Sequence, residues 1–162
     1  MLALDDERLL IATSGNGLQV LNLEQDLVSP YKEDRKEFTR KTKIVRSMEK
    51  DSQDNLWIGT DGFGLYELKK NQNDYTIVDN YTQQSNRSFS ISGNAIYALT
   101  EDEKGNIWIG TAWNGINVLG SNRQTEMIFS DFQGNNTDPV LSIAQNERYL
   151  YLGLDGKGLS TY

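Results

Sequence analysis

The sequence predicts an all-β chain assembled from about three and a half copies of one four-stranded antiparallel unit. Three observations predict it: self-similarity at a period near 47 residues, alternating apolar runs of strand length inside each period, and Gly- or Asn-bearing turns between those runs. The repeated core reads apolar or aromatic strand, small turn, glycine, aliphatic residue. Its copies are Leu9 to Leu18, Leu56 to Leu65, Ile107 to Ile116 and Leu150 to Leu159. Equivalent positions 13, 60, 111 and 154 lie 47, 51 and 43 residues apart. That spacing suits a four-stranded blade, so the predicted fold is a partial β-propeller. Approximate blades are 1–31, 44–81, 95–132 and 140–162, the last incomplete.

Within each period the elements follow in a fixed order. A first strand is predicted at Val45 to Met48, Ile96 to Leu99 and Val140 to Ile143, with Leu2-Ala3-Leu4 as the remnant of the first copy. Asp54-Asn55 and Gly105-Asn106 tolerate positive φ and turn the chain into the second strand, which carries Trp57 or Trp108. Apolar residues on both faces of that strand predict a core between stacked blades. Gly-x-Gly turns lead to third strands at Leu18 to Leu21, Leu65 to Leu68 and Ile116 to Leu119. Fourth strands are expected at Tyr75 to Val78, Met127 to Phe129 and, more weakly, Leu27-Val28. The basic stretch after residue 32 reads as a long loop. One blade leaves both faces bare, and stacking neighbours removes that exposure.

Composition narrows the chemistry. Of 162 residues, 16 are basic and 23 acidic, for a net charge of −7, and there is neither His nor Cys. Imidazole bases, thiolate nucleophiles, disulfides and thiolate zinc sites are therefore excluded, and no cofactor or metal is expected. No apolar run nears the roughly 20 residues that span a bilayer, and the N-terminus turns acidic too early for a signal peptide. Residues 32–50 carry eight basic residues against four acidic, a net of +4 that leaves −11 on the remainder. Such a patch attracts anionic surfaces, yet it lacks interleaved aromatics, so nucleic acid is not expected.

The run from Leu99 to Thr111, with Gly115-Ile116 after it, resembles the bacterial two-component regulator propeller repeat. So do Asp54-Asn55-Leu56-Trp57-Ile58-Gly59-Thr60 with Gly64-Leu65, and the lead-in Ser90 to Leu99. Copies one and four depart from it, with Leu10 and Tyr151 in place of Trp and Leu154 in place of Thr. The resemblance implies a fragment of the periplasmic sensor region of a hybrid histidine kinase, non-catalytic in itself and probing oligosaccharides or a partner receptor domain. The alternative is a carboxylate-dependent propeller lyase or glycosidase fragment. Against it, Asp51, Asp54 and Asp102 recur with the repeat as turn residues, and the spacing from Asp51 to Trp57 departs from the sialidase Asp box.

Positions that break the repeat are the candidate binding residues, because blade geometry does not demand them. Trp113 stands where the other copies have glycine, and a flat aromatic face suits a sugar ring or a protein. Asn16, Asp61, Phe63, Asn114 and Lys157 occupy the same turns and are expected on one face with the inter-blade loops that carry Arg40 and Arg87. With only about three and a half repeats, apolar blade ends stay bare, and self-association through them is expected.

Overall fold

The computed structural model describes residues 1–32, 36–72, 74–84, 90–122, 138–146 and 148–162, together with the backbone of 125–129. Four antiparallel sheets follow one another along the chain. The first holds β1 (Leu2–Ala3), β2 (Arg8–Ala12), β3 (Leu18–Asn22) and β4 (Leu27–Pro30). After the helix α1 (Lys36–Lys41), the second holds β5 (Val45–Lys50), β6 (Leu56–Thr60), β7 (Leu65–Asn71) and β8 (Asp74–Tyr81). The third holds β9 (Ile96–Glu101), β10 (Ile107–Thr111), β11 (Ile116–Leu119) and β12 (Thr125–Phe129). The fourth has three strands, β13 (Val140–Gln145), β14 (Leu150–Leu154) and β15 (Gly158–Thr161). Every sheet is a meander of sequential hairpins, as the alternating apolar runs predict.

A carboxylate organises the hairpin between the first two strands of the middle sheets. Asp51 Oδ1 accepts from the amides of Gln53 (3.0 Å) and Asn55 (2.8 Å), while Oδ2 accepts from Asn55 Nδ2 and the indole Nε1 of Trp57, both at 2.9 Å. Asp102 repeats the pattern on Lys104, Asn106 and Trp108, the last at 3.0 Å. Turn chemistry alone predicts the amide bonds. The indole bond adds a reason for the Asp and Trp to recur together: a buried N–H left without an acceptor costs about 1 to 3 kcal/mol. Asp54, at φ 66°, takes the left-handed position of the tighter turn.

Three apolar clusters lie between successive sheets. The first joins Leu10 and Leu18 to Leu56 and Ile58, and the second joins Trp57 and Leu65 to Ile107 and Ile109. The third joins Ile116 to Leu150 and Leu152, with Trp108 packed at its border. Residues of one parity thus face forward to the next sheet, and those of the other parity face back. Gly59 makes the close approach possible: a Cβ there would meet Ser47 Oγ and lie 2.9 Å from Ile96 Cγ2 of the next sheet. None of the three clusters joins the first sheet to the fourth.

Two expectations need correction. The basic stretch is not a loop throughout, because α1 buries Phe38, whose ring meets Tyr66 edge-on at 5.0 Å, and Thr42 Oγ1 donates to the Phe38 carbonyl at 2.8 Å. One buried aromatic anchors a helix too short to stand alone. Trp57 is fully buried, as expected, but Trp108 remains partly exposed. Its forward neighbour, the three-stranded fourth sheet, covers less of it.

Candidate functional site

A threonine locks three of the four turns that carry the candidate residues. Thr60 Oγ1 donates to the Gly64 carbonyl at 2.7 Å and accepts from the Phe63 amide at 3.0 Å. Thr13 does the same with Gly17 and Asn16, and Thr111 with Gly115 and Asn114. Gly64, at φ 79°, closes the turn where a Cβ would strike the Tyr81 carbonyl. Leu154 has no hydroxyl, so the fourth turn lacks this bond pair.

These turns lean on the segments entering the next sheet. Gly15 and Gly17 donate to the Lys43 carbonyl at 2.8 and 2.9 Å, and Gly62 and Gly64 to the Asn94 carbonyl at 3.1 and 2.9 Å. On its other side the same segment meets the third turn, with Ser92 Oγ donating to the Asn114 carbonyl at 2.7 Å. Ser92 is itself held by the buried Asn117, whose Oδ1 accepts from the Ser92 amide at 2.9 Å. The result is a polar strip, Ser92-Gly93-Asn94, between two turns whose tips are aromatic: Phe63 is 45% exposed and Trp113 65%. A side chain at Gly93 would press on Asn114 Oδ1 at 2.8 Å, so glycine keeps strip and turn in contact.

Asp61 shares the Phe63 turn, and the remaining candidates fall elsewhere. Asp61 pairs with Arg46, whose Nη2 lies 2.6 Å from Oδ2 and whose Cζ sits 5.2 Å from the Tyr97 ring centroid. Its hydrogen bond to Asp61 holds the Arg46 guanidinium above its usual range. Arg46 thus belongs to the rim of this face, and no repeat-breaking signal in the turns pointed to it. Asn16 is exposed on the first turn, and Lys157 pairs with Asp138 at 2.5 Å on the fourth. Arg40 is exposed on α1, at the joint of the first two sheets. Arg87 lies outside the described residues. Of the basic stretch, Lys41 pairs with Glu37 at 2.7 Å and Lys50 with Asp54 at 3.4 Å, which offsets part of its positive field.

A cleft of about 1100 Å³ opens at the other end of the sheets among Glu101, Asp102, Trp108 and Gln145. Several of its polar groups are engaged with one another: Glu101 accepts from Ser52 N and Oγ at 2.6 and 2.8 Å, and Gln145 Nε2 donates to the Glu101 carbonyl. The strip is the candidate marked by repeat-breaking residues, with Phe63 and Trp113 exposed at its edges.

Residues 40–62 and 90–113 match the family described as two component regulator propeller. Those two segments are similar to two-component regulator propeller repeats. The matched residues include the Asp51 and Asp102 hairpins, Trp57 and Trp108, and the turn residues up to Gly62 and Trp113. Among solved structures, the repeats are similar to the extracellular domain described for hybrid two component system BT3049 from B. thetaiotaomicron. There 23% of residues are identical, the TM-score is 0.69, and 98% of this chain and 19% of that one are covered. The corresponding domain of BT4673 from the same organism gives 19% identity and a TM-score of 0.71, covering 99% of this chain and 23% of that one. A structure described as a gluconolactonase gives 14% identity and a TM-score of 0.61, covering 93% and 47%. These likenesses show a shared fold, and the chain spans about a fifth of the length of the first two. No curated protein matches it. No helix of the described residues is long and apolar enough to cross a membrane.

Proposed function

We propose that these propeller repeats form a non-catalytic ligand-sensing module, part of the periplasmic sensor of a two-component receptor, and that the ligand is an oligosaccharide. The observation that carries the reading is Trp113, 65% exposed on a turn fixed by Thr111 and Ser92. A rigid indole offers an apolar face to the C–H side of a sugar ring, and the Asn94 and Asn114 side-chain amides beside it carry N–H donors for its hydroxyls. Phe63 bounds the strip on its other side. A sensing role also agrees with the engaged state of the recurring carboxylates, since Asp51 and Asp102 spend their oxygens on hairpins and indoles.

Glycan-array binding followed by titration tests the proposal. Trp113→Ala is expected to weaken binding at least tenfold while the bound sugar is recovered unchanged. Absence of binding to any glycan, affinity unaffected by Trp113→Ala, or turnover of the sugar would each overturn it.

A further inference from the structure

The first strands of the second, third and fourth sheets all carry one extra residue near their start. In β5, Val45 pairs with Thr60 and Ser47 with Gly59, which leaves Arg46 without a partner across the ladder. In β9, Ile96 pairs with Thr111 and Ala98 with Gly110, leaving Tyr97; in β13, Val140 pairs with Leu154 and Ser142 with Gly153, leaving Leu141. The residues on either side hardly change. Val45, Ile96 and Val140 are buried, and Ser47, Ala98 and Ser142 are small, as the glycine beside each requires. The extra residue itself is Arg, then Tyr, then Leu. A bulge of this kind re-aims one side chain, and here the fold demands the bulge without demanding what stands on it.

These strands run side by side, β5 beside β9 and β9 beside β13. Successive bulges therefore adjoin, with Arg46 Cζ 5.2 Å from the Tyr97 ring centroid. Leu141, 48% exposed, holds the same place on the next sheet. Asp61 joins the group from the Phe63 turn. Both Nε and Nη2 of Arg46 donate to a single oxygen of it, Oδ2, at 3.2 and 2.6 Å. Among the described residues, Asp61 Oδ1, Arg46 Nη1 and Tyr97 Oη have no hydrogen-bond partner. Asp61 also bridges to Ala95, the residue that follows the Ser92-Gly93-Asn94 strip, so the group continues that strip toward the first strands.

Resting on the oligosaccharide reading above, we infer that Arg46, Asp61 and Tyr97 form a second subsite of the same face, selecting a neutral sugar residue by two adjacent hydroxyls. One ion-paired unit presents an open acceptor, Asp61 Oδ1, and an open donor, Arg46 Nη1. A vicinal diol matches it, because one hydroxyl can donate to the carboxylate while its neighbour accepts from the guanidinium. The Tyr97 hydroxyl can donate or accept and serves a third position. An acidic sugar fits poorly: the guanidinium charge is already met by Asp61, whose own charge repels a carboxylate or sulfate ester.

An array holding neutral, uronic-acid and sulfated glycans, followed by calorimetric titration of the strongest binder, tests this. The native chain is expected to prefer a neutral glycan. Arg46→Ala and Asp61→Ala are each expected to weaken binding by about tenfold or more, and Tyr97→Phe, which removes only the hydroxyl, by about threefold. Melting temperatures check that each variant folds, and Tyr97→Phe decides if the other two do not. Preference for an acidic glycan, or native affinity in the folded variants, overturns the inference. If Trp113→Ala weakens binding while these substitutions do not, the inference fails and the sensing reading stands. Loss of binding in these variants with native affinity in Trp113→Ala keeps this subsite and removes the indole from the site. Absence of binding to any glycan overturns both.

Discussion

The three tryptophans occupy one fold in three environments, and their energetic roles differ accordingly. Trp57 is fully enclosed between the second and third sheets, with its N–H on Asp51. Replacing it with alanine is expected to cost about 3 to 5 kcal/mol in denaturant melts, as for an emptied aromatic core site. Trp113→Ala is expected to cost under about 1 kcal/mol, because its ring faces solvent. Trp108 is partly exposed and should fall between them. Equal losses at all three positions would show that Trp113 is a folding residue and remove it from the binding face.

At the scale of the element, the hairpin carboxylate couples stability to pH. Burial opposes ionisation of Asp102, but its bonds from Asn106, Trp108 and Lys104 outweigh that and hold the carboxyl below its usual range. A carboxyl that ionises at lower pH in the folded chain than in the unfolded one, where the value is about 3.9, stabilises fully above that value. The contribution disappears as pH falls through the folded value. Asp102→Asn removes the charge and one of the two acceptor oxygens, so stability at pH 7 is expected to drop by about 1 to 2 kcal/mol. The decline of melting temperature on acidification below about pH 4 should then be shallower than in the native chain. Identical acid limbs would show that Asp102 does not carry the effect. In the fourth copy Asn146 takes the Asp place, with its Nδ2 3.2 Å from Tyr151 Oη, so the polar partner and the aromatic changed together.

For the whole molecule, the joints between sheets decide where bulk is tolerated. Gly59→Ala places a methyl against Ile96, and Gly110→Ala places one against Val140, each from a neighbouring sheet. Both are expected to destabilise by about 1 to 3 kcal/mol through overpacking. Gly153→Ala has Ser142 as its nearest neighbour, a hydroxyl that can rotate away, and should cost less, provided the chain is measured dilute. Denaturant melts of the three variants check this. A loss at Gly153 equal to that at Gly59 under those conditions would mean that the fourth sheet is already covered.

Period and alternation were enough to read the class and the order of strands from the sequence, because the same face-to-face burial is demanded of every copy. Leu56, Trp57 and Ile58 announce a strand buried on both sides wherever they sit. The turn threonines were legible as recurring residues, and their bonds explain why they recur. Other features depend on contacts that no local pattern encodes. The helix at Lys36–Lys41 exists because Phe38 finds Tyr66, distant in sequence. Trp108 differs from Trp57 only in what the next sheet covers. Repeat-breaking marked Phe63 and Trp113 in the sequence, but the strip between them arises from segments entering the third sheet, and Arg46 reaches Asp61 across 15 residues. The sequence by itself determined which residues gain from burial, since transfer from water depends on the side chain. Only the tertiary structure decided which surfaces meet, since that depends on neighbours brought together by folding.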